Sequence, residues 1–170
     1  MKSYSQRRSR LQEKRAARDV GGQMQSGSGS SGFAKGDFRS MGNIRGECKF
    51  TKSDSYTLKK ADLEKIALEA LKGGGEGWVM QVEFVGAGGQ SKKLAVLDYG
   101  VFQDMHIHHD AVFDFALKSA GKTFVIKKDD YRARSSCVVS FKDDSPLRMY
   151  AIILWQTYLE VRQAYMETQE

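Results

Sequence analysis

Three residues, Asp37, Glu47 and Lys49, carry the chemistry this sequence offers. Strict period-two alternation over 44–51 predicts a strand in which Glu47 and Lys49 share the polar face, with Arg45 and Thr51, while Cys48 turns into the core with Ile44, Gly46 and Phe50. A turn at Met41-Gly42-Asn43 would bring Asp37, on a preceding strand, back beside them. Two carboxylates converging on one point form a hard oxygen site suited to magnesium or manganese. A neighbouring lysine can hold and polarise an attacking water, or balance the charge of a phosphate. Metal-assisted phosphodiester hydrolysis draws on this set. The plainer reading of Glu-x-Lys is an exposed strand face with an ion pair worth about a few tenths of a kcal/mol.

The elements needed to position these residues are legible to different degrees. Residues 4–19 lack Gly and Pro and are rich in helix formers, with a narrow apolar stripe of Leu11, Ala16, Ala17 and Val20 before Gly21-Gly22. A Gly/Ser-rich loop follows over 26–32. The apolar spacing predicts a helix over 58–72, stopped by Gly73-Gly74-Gly75. Strands are predicted over 78–85, with Gln81 and Glu83 on a solvated face, and over 93–99. Further on, the pattern suggests a helix over 111–120, strands over 123–127 and 137–141, and a helix from Pro146 to about Glu167.

Charge adds a partner class. Of the chain's net +6, the first twenty residues supply five, with seven basic residues against Glu13 and Asp19. Such a block reads as an arm or helix for a polyanion, usually nucleic acid, or as a solvated basic tail. The 170 residues suit one domain, two cysteines exclude a disulfide scaffold, and no apolar run approaches a membrane span. Together with the polar, basic start of the chain, these features suggest a soluble protein of a reducing, cytoplasmic compartment.

In this order of elements, and most closely over Ser26 to Phe50, the chain resembles the PD-(D/E)XK nuclease superfamily, and within it the archaeal and phage Holliday-junction resolvases. The resemblance covers about residues 8–105. It implies an α/β fold with a restriction-endonuclease-like core (helix, three strands, helix, strand). The corresponding division is a basic N-terminal helix or arm over 1–20, the nuclease core over 21–105, and a C-terminal α+β extension over 106–170, packed on the core or at a dimer interface.

The resemblance also implies roles. Asp37 and Glu47 would be the metal carboxylates, the Cys48 carbonyl a further ligand, Lys49 the catalytic lysine, and Glu13 the acid of the first helix. Ser28, Ser30 and Ser31 would match the loop that approaches the scissile phosphate. Arg7, Arg8, Arg10, Lys14, Arg15 and Lys35 would contact DNA. Gly36 stands where the family often has proline before the aspartate. Implied with these are Mg2+ (Mn2+ as a substitute), branched DNA or four-way junctions as substrate, a homodimer, and no membrane. Rival readings are another nuclease on the same core, of a repair or restriction-like kind, and a non-catalytic nucleic-acid-binding protein.

Other residues weigh less. His106, His108 and His109, flanked by Asp104 and Asp110, read as an exposed polar turn rather than a metal site. Tyr56 and Lys59 fall where many members of the superfamily contact substrate, and Cys137 reads as a buried strand residue.

Overall fold

The computed structural model describes residues 3–25, 37–40, 43–86, 90–109, 113–132, 135–142 and 148–169. The fold is mixed α/β, with four helices among the described residues and one large mixed sheet. Helix α1 spans Tyr4–Asp19, strands β1 and β2 are the short pieces Gln23–Met24 and Phe38–Arg39, and β3 is Ile44–Thr51. Strand β4 (Ser55–Lys59) leads into α2 (Lys60–Lys72), followed by β5 (Gly77–Val85), β6 (Ser91–Asp98) and α3 (Tyr99–His106). The remainder comprises β7 (Asp114–Ala120), β8 (Thr123–Lys127), β9 (Ser135–Phe141), β10 (Met149–Leu154) and α4 (Trp155–Glu167).

Eight strands form the main sheet in the order β1-β2-β3-β5-β6-β10-β9-β7, and β4 pairs with β8 separately. Strands β3 and β5 are parallel, with Glu47 opposite Met80 and Lys49 opposite Val82, which the crossover through α2 makes possible. Strand β5, buried along nearly its whole length, has layers on both faces. On one face Trp78, Met80, Val82 and Phe84 pack with Leu63, Ile66 and Ala70 of α2 and with Leu58 and Ile126 of the small sheet. On the other, Cys48, Val79, Ala95 and Leu97 pack with α1, α3 and α4 through Ala16, Ala17, Phe102, Trp155 and Tyr158.

Local chemistry starts and stops these elements. Ser3 and Gln6 form a reciprocal capping box at the start of α1, a motif worth about 1 kcal/mol. Asp98 caps α3 by accepting from the N–H groups of Gly100 and Val101. Asn43 takes a left-handed backbone (φ 57°) at the turn into β3, where its side chain accepts from Arg39 and donates to the Gly74 carbonyl.

Several expectations require correction. Residues 114–120 form strand β7 rather than a helix: Ala, Leu and Lys are good helix formers, but parallel pairing with β9 overrides that propensity. The long helix expected from Pro146 divides into β10 and α4, with Pro146 itself outside the described residues. Tyr150 to Ile153 form a continuous buried run between two strands, a pattern that periodicity cannot separate from a buried helix. The helix expected from Leu58 starts at Lys60, because 55–59 pair with β8. Residues 99–106 form α3, and His106 lies against the rings of Phe102 and Phe113 rather than in an exposed turn. In α1, Leu11 is half exposed and Gln12 takes its place on the buried face. No helix among the described residues is long and apolar enough to cross a membrane.

Strand β2, the support for Asp37, pairs with β1 and β3 and is locked by one close side-chain contact. Phe38 is fully buried and lies across β3 at Gly46, where any Cβ would fall inside its ring. Gly46→Ala should therefore cost about 1–3 kcal/mol by overpacking, read as a lower midpoint in urea denaturation.

Candidate active site

Asp37 immediately precedes β2, and its Oδ2 accepts the Cys48 N–H at 2.7 Å, fastening the carboxylate to the middle of β3. One residue to either side, on the opposite face of the strand, Glu47 and Lys49 form an ion pair at 2.6 Å. The pair is partly exposed, with relative side-chain exposures of 23% for Glu47 and 39% for Lys49, so solvent can reach it.

The charges of these groups act on one another. Burial, then the charge of Glu47, raise the Asp37 pKa to about 6, against the lowering effect of the Cys48 N–H; Glu13 raises it further and Lys49 opposes. The Cys48 thiol is driven up by burial and then by Asp37, Glu13, Glu47 and Glu83. Burial alone would lower the Lys49 pKa, but the hydrogen bond and charge of Glu47, then the charge of Asp37, outweigh it and the net shift is upward. Lys49 is thus a persistent cation beside carboxylates that repel one another.

Glu13 is carried by α1 on the Cys48 face of the sheet, where its Oε1 accepts from the Ser9 hydroxyl and its charge acts on Asp37 and Cys48. Tyr56 of β4 lies within electrostatic reach of Lys49 and Glu47. Its pKa is raised, first by burial and then by acidic neighbours, against the charge of Lys49. Lys59 is on the same strand but borders a separate cleft.

Other predicted positions fall elsewhere. Arg8 is not available as a phosphate ligand: it donates to Glu83 at 2.8 Å, and Glu83 is 1% exposed. Arg7, Arg10, Lys14 and Arg15 lie on the exposed side of α1. Ser28, Ser30, Ser31, Lys35 and Asp110 lie outside the described residues. Cys137 is buried in β9, as expected.

Gln81 and Glu83, expected on a solvated face, are buried beneath α1. Gln12 donates through Nε2 to both the Lys49 carbonyl and Gln81 Oε1, which ties helix, β3 and β5 together directly behind the lysine. Sequence reasoning missed this group because an alternating polar residue on a strand looks solvated until the helix that covers it is known. It also missed a cationic cleft of about 420 Å³ at the start of α2, lined by Lys59, Lys60, Lys122 and Lys142 with Glu64 as the acid. Its lysines come from separate segments, so no local charge run announces it.

Among the described residues no cluster of three or more His, Cys, Asp or Glu side chains is arranged to hold a metal ion. The donor chemistry still fits a hard divalent cation: two mutually repelling carboxylates, one at a raised pKa, are relieved by a positive charge between them. Comparison with known protein families, curated proteins and solved structures finds no match.

Two outcomes follow from this geometry. Arg8→Ala should cost about 3–5 kcal/mol by stranding the buried Glu83, Arg10→Ala should stay within about 0.5 kcal/mol, and Arg8→Met with Glu83→Leu should recover most of the loss; chemical denaturation reads all three. For Asp37, whose folded pKa is raised, the stabilising contribution of the proton is full below about pH 4 and is lost as pH rises through about 6. Asp37→Asn should therefore gain roughly 1–2 kcal/mol over the native chain at about pH 8 and nothing near pH 4, read as a pH series of urea midpoints.

Proposed function

We propose that the protein is a magnesium-dependent endonuclease of the PD-(D/E)XK type, with manganese as a substitute ion and branched DNA, such as a four-way junction, as substrate. The observation that supports this reading is that Asp37 is fastened to the Cys48 N–H, between Glu47 and Lys49 in the chain, which form an ion pair. The order α1, β1, β2 and β3 of the main sheet, then α2 and β5, with β4 set apart on the small sheet and β3 and β5 parallel, supports a restriction-endonuclease-like core. The preference for junctions rests on the resemblance to resolvases and not on the geometry.

Asp37 and Glu47, with the Cys48 carbonyl and Glu13, are the groups that would hold the ion. When bound, the ion supplies positive charge to the scissile phosphate and acidifies water. Asp37 uses Oδ2 for the Cys48 N–H, which fixes the carboxyl plane and leaves Oδ1 for a ligand. Lys49 stays protonated at neutral pH, which suits it to orient water and offset phosphate charge rather than to abstract a proton. Gln12 steadies the backbone of Lys49 from behind. Arg7, Arg10, Lys14 and Arg15, with the lysine cleft at α2, supply cations that contact phosphates without reading bases, so affinity falls steeply with salt. Such an enzyme would work in the cytoplasm.

Incubation with labelled four-way junction and matching linear duplex, with and without magnesium, tests the proposal. Symmetric nicking of the junction is expected, reduced at least about 100-fold in Glu47→Ala and Lys49→Ala with DNA binding retained. Magnesium should also raise the melting temperature of the native chain and not that of Glu47→Ala. Equal cutting of both DNAs would keep the nuclease and remove the junction preference. Binding without metal-dependent cleavage would leave a non-catalytic nucleic-acid-binding protein.

A further inference from the structure

Strand β7 ends the large sheet on the side opposite β1–β2, and among the described residues no strand pairs with its outer edge. Asp114 to Ser119 are all exposed, Phe115 at 39% and Leu117 at 72%. A long edge carrying exposed apolar side chains is a template for another strand, and natural sheets usually blunt or cover it.

The backbone of this edge has a defined orientation. The carbonyls of Asp114 and Lys118 accept from the hydroxyls of Ser136 and Ser140, and that of Ala120 accepts from the Lys142 N–H, so these residues face β9. Alternation along the strand then turns the N–H and C=O groups of Phe115, Leu117 and Ser119 outward.

We propose that this edge pairs with the same edge of a second copy, antiparallel, about a two-fold axis at Ala116. In that register Phe115 and the partner's Leu117 stand opposite each other and exchange both backbone hydrogen bonds, using the outward groups. Asp114 stands opposite the partner's Lys118. Each pair occurs twice, so the edge is complementary to itself in shape, polarity and charge. Moving the axis to Leu117 would set Asp114 against the partner's Ala120 and Lys118 against the partner's Ala116, losing the charge match. Phe115 is already backed by Tyr99, Phe102 and Phe113, so the apolar contact is built on a firm base. The opposite end of the sheet is the two-residue strand β1, so pairing through β7 closes at two copies. A homodimer is expected from the resemblance; what is new is that β7 forms its interface, and that rests on the strand edge and not on the nuclease reading.

Sedimentation equilibrium of the full chain over roughly 1–100 µM tests it. A monomer–dimer equilibrium is expected, abolished by Leu117→Pro, which removes only an outward N–H and is the kind of substitution an edge strand accepts. Should Leu117→Pro fail to fold by circular dichroism, the surface charges decide. Asp114→Lys and Lys118→Asp should each weaken the dimer about tenfold, and the two together should restore it to within about threefold. A monomer across the whole range overturns the proposal, as does a dimer indifferent to the charge reversals.

Discussion

The register of the structure around the candidate site depends on a buried ion pair between Arg8 and Glu83. A carboxylate at 1% exposure is tolerable only with a cation at hydrogen-bonding distance, so α1 has one acceptable position on the sheet. One helical turn later that position sets Gln12 between the Lys49 carbonyl and Gln81, and Glu13 beside the carboxylates. At the far end of the helix Asp19 accepts from the Trp155 indole and lies 3.7 Å from Lys93, pinning the other terminus to α4 and β6. The most basic segment of the chain is in this way a rigid wall of the site. Charge that composition assigns to a loose arm is partly consumed in fastening the arm down.

The site itself works against the stability of the fold. Burial and the neighbouring Glu47 hold Asp37 in a state where ionisation is unfavourable, and the fixed Cys48 N–H only partly offsets this. Such local conflict is tolerated where the surroundings over-determine the geometry, here the Phe38–Gly46 contact and the β3–β5 pairing. Lys49, paired with Glu47, relieves part of the conflict.

How much of this was legible depends on where the determining information lies. The bounds of helix α1 and strand β3 were readable to the residue, because composition in one and alternation in the other express local rules, but their faces were not fully so: Leu11 is exposed, and Arg45, expected on the polar face of β3, is buried. Asp37 does return to β3, where it accepts the Cys48 N–H, while Met41 and Gly42 of the expected turn lie outside the described residues. By contrast, β7 and β10 carry residues that serve a helix as well as a strand, and only pairing with β9 and β6 decides. Arg8, Gln81 and Glu83 were misplaced for the same reason: their burial is a property of the α1–sheet interface and not of either partner. The lysine cleft assembles side chains from β4, α2 and the ends of β7 and β9, a juxtaposition no linear pattern records.

Strand β10 has a consequence for how the molecule comes into being. It lies between β6 and β9 yet follows both in the chain, so the centre of the sheet is the last part to be synthesised. Until residue 154 has emerged from the ribosome, β6 lacks one neighbour and the β9–β7 pair has nothing to join. Helix α4, whose Trp155 and Tyr158 seal the α1 face, comes later still. The nascent chain must therefore carry the open apolar edge of β6 from residue 98, and that of β9 from residue 141, until β10 has emerged. Closure is a single late event between distant segments, slow because of the loop entropy involved and exposed to capture by other chains. Molecular chaperones are the factors suited to shield those edges at that stage.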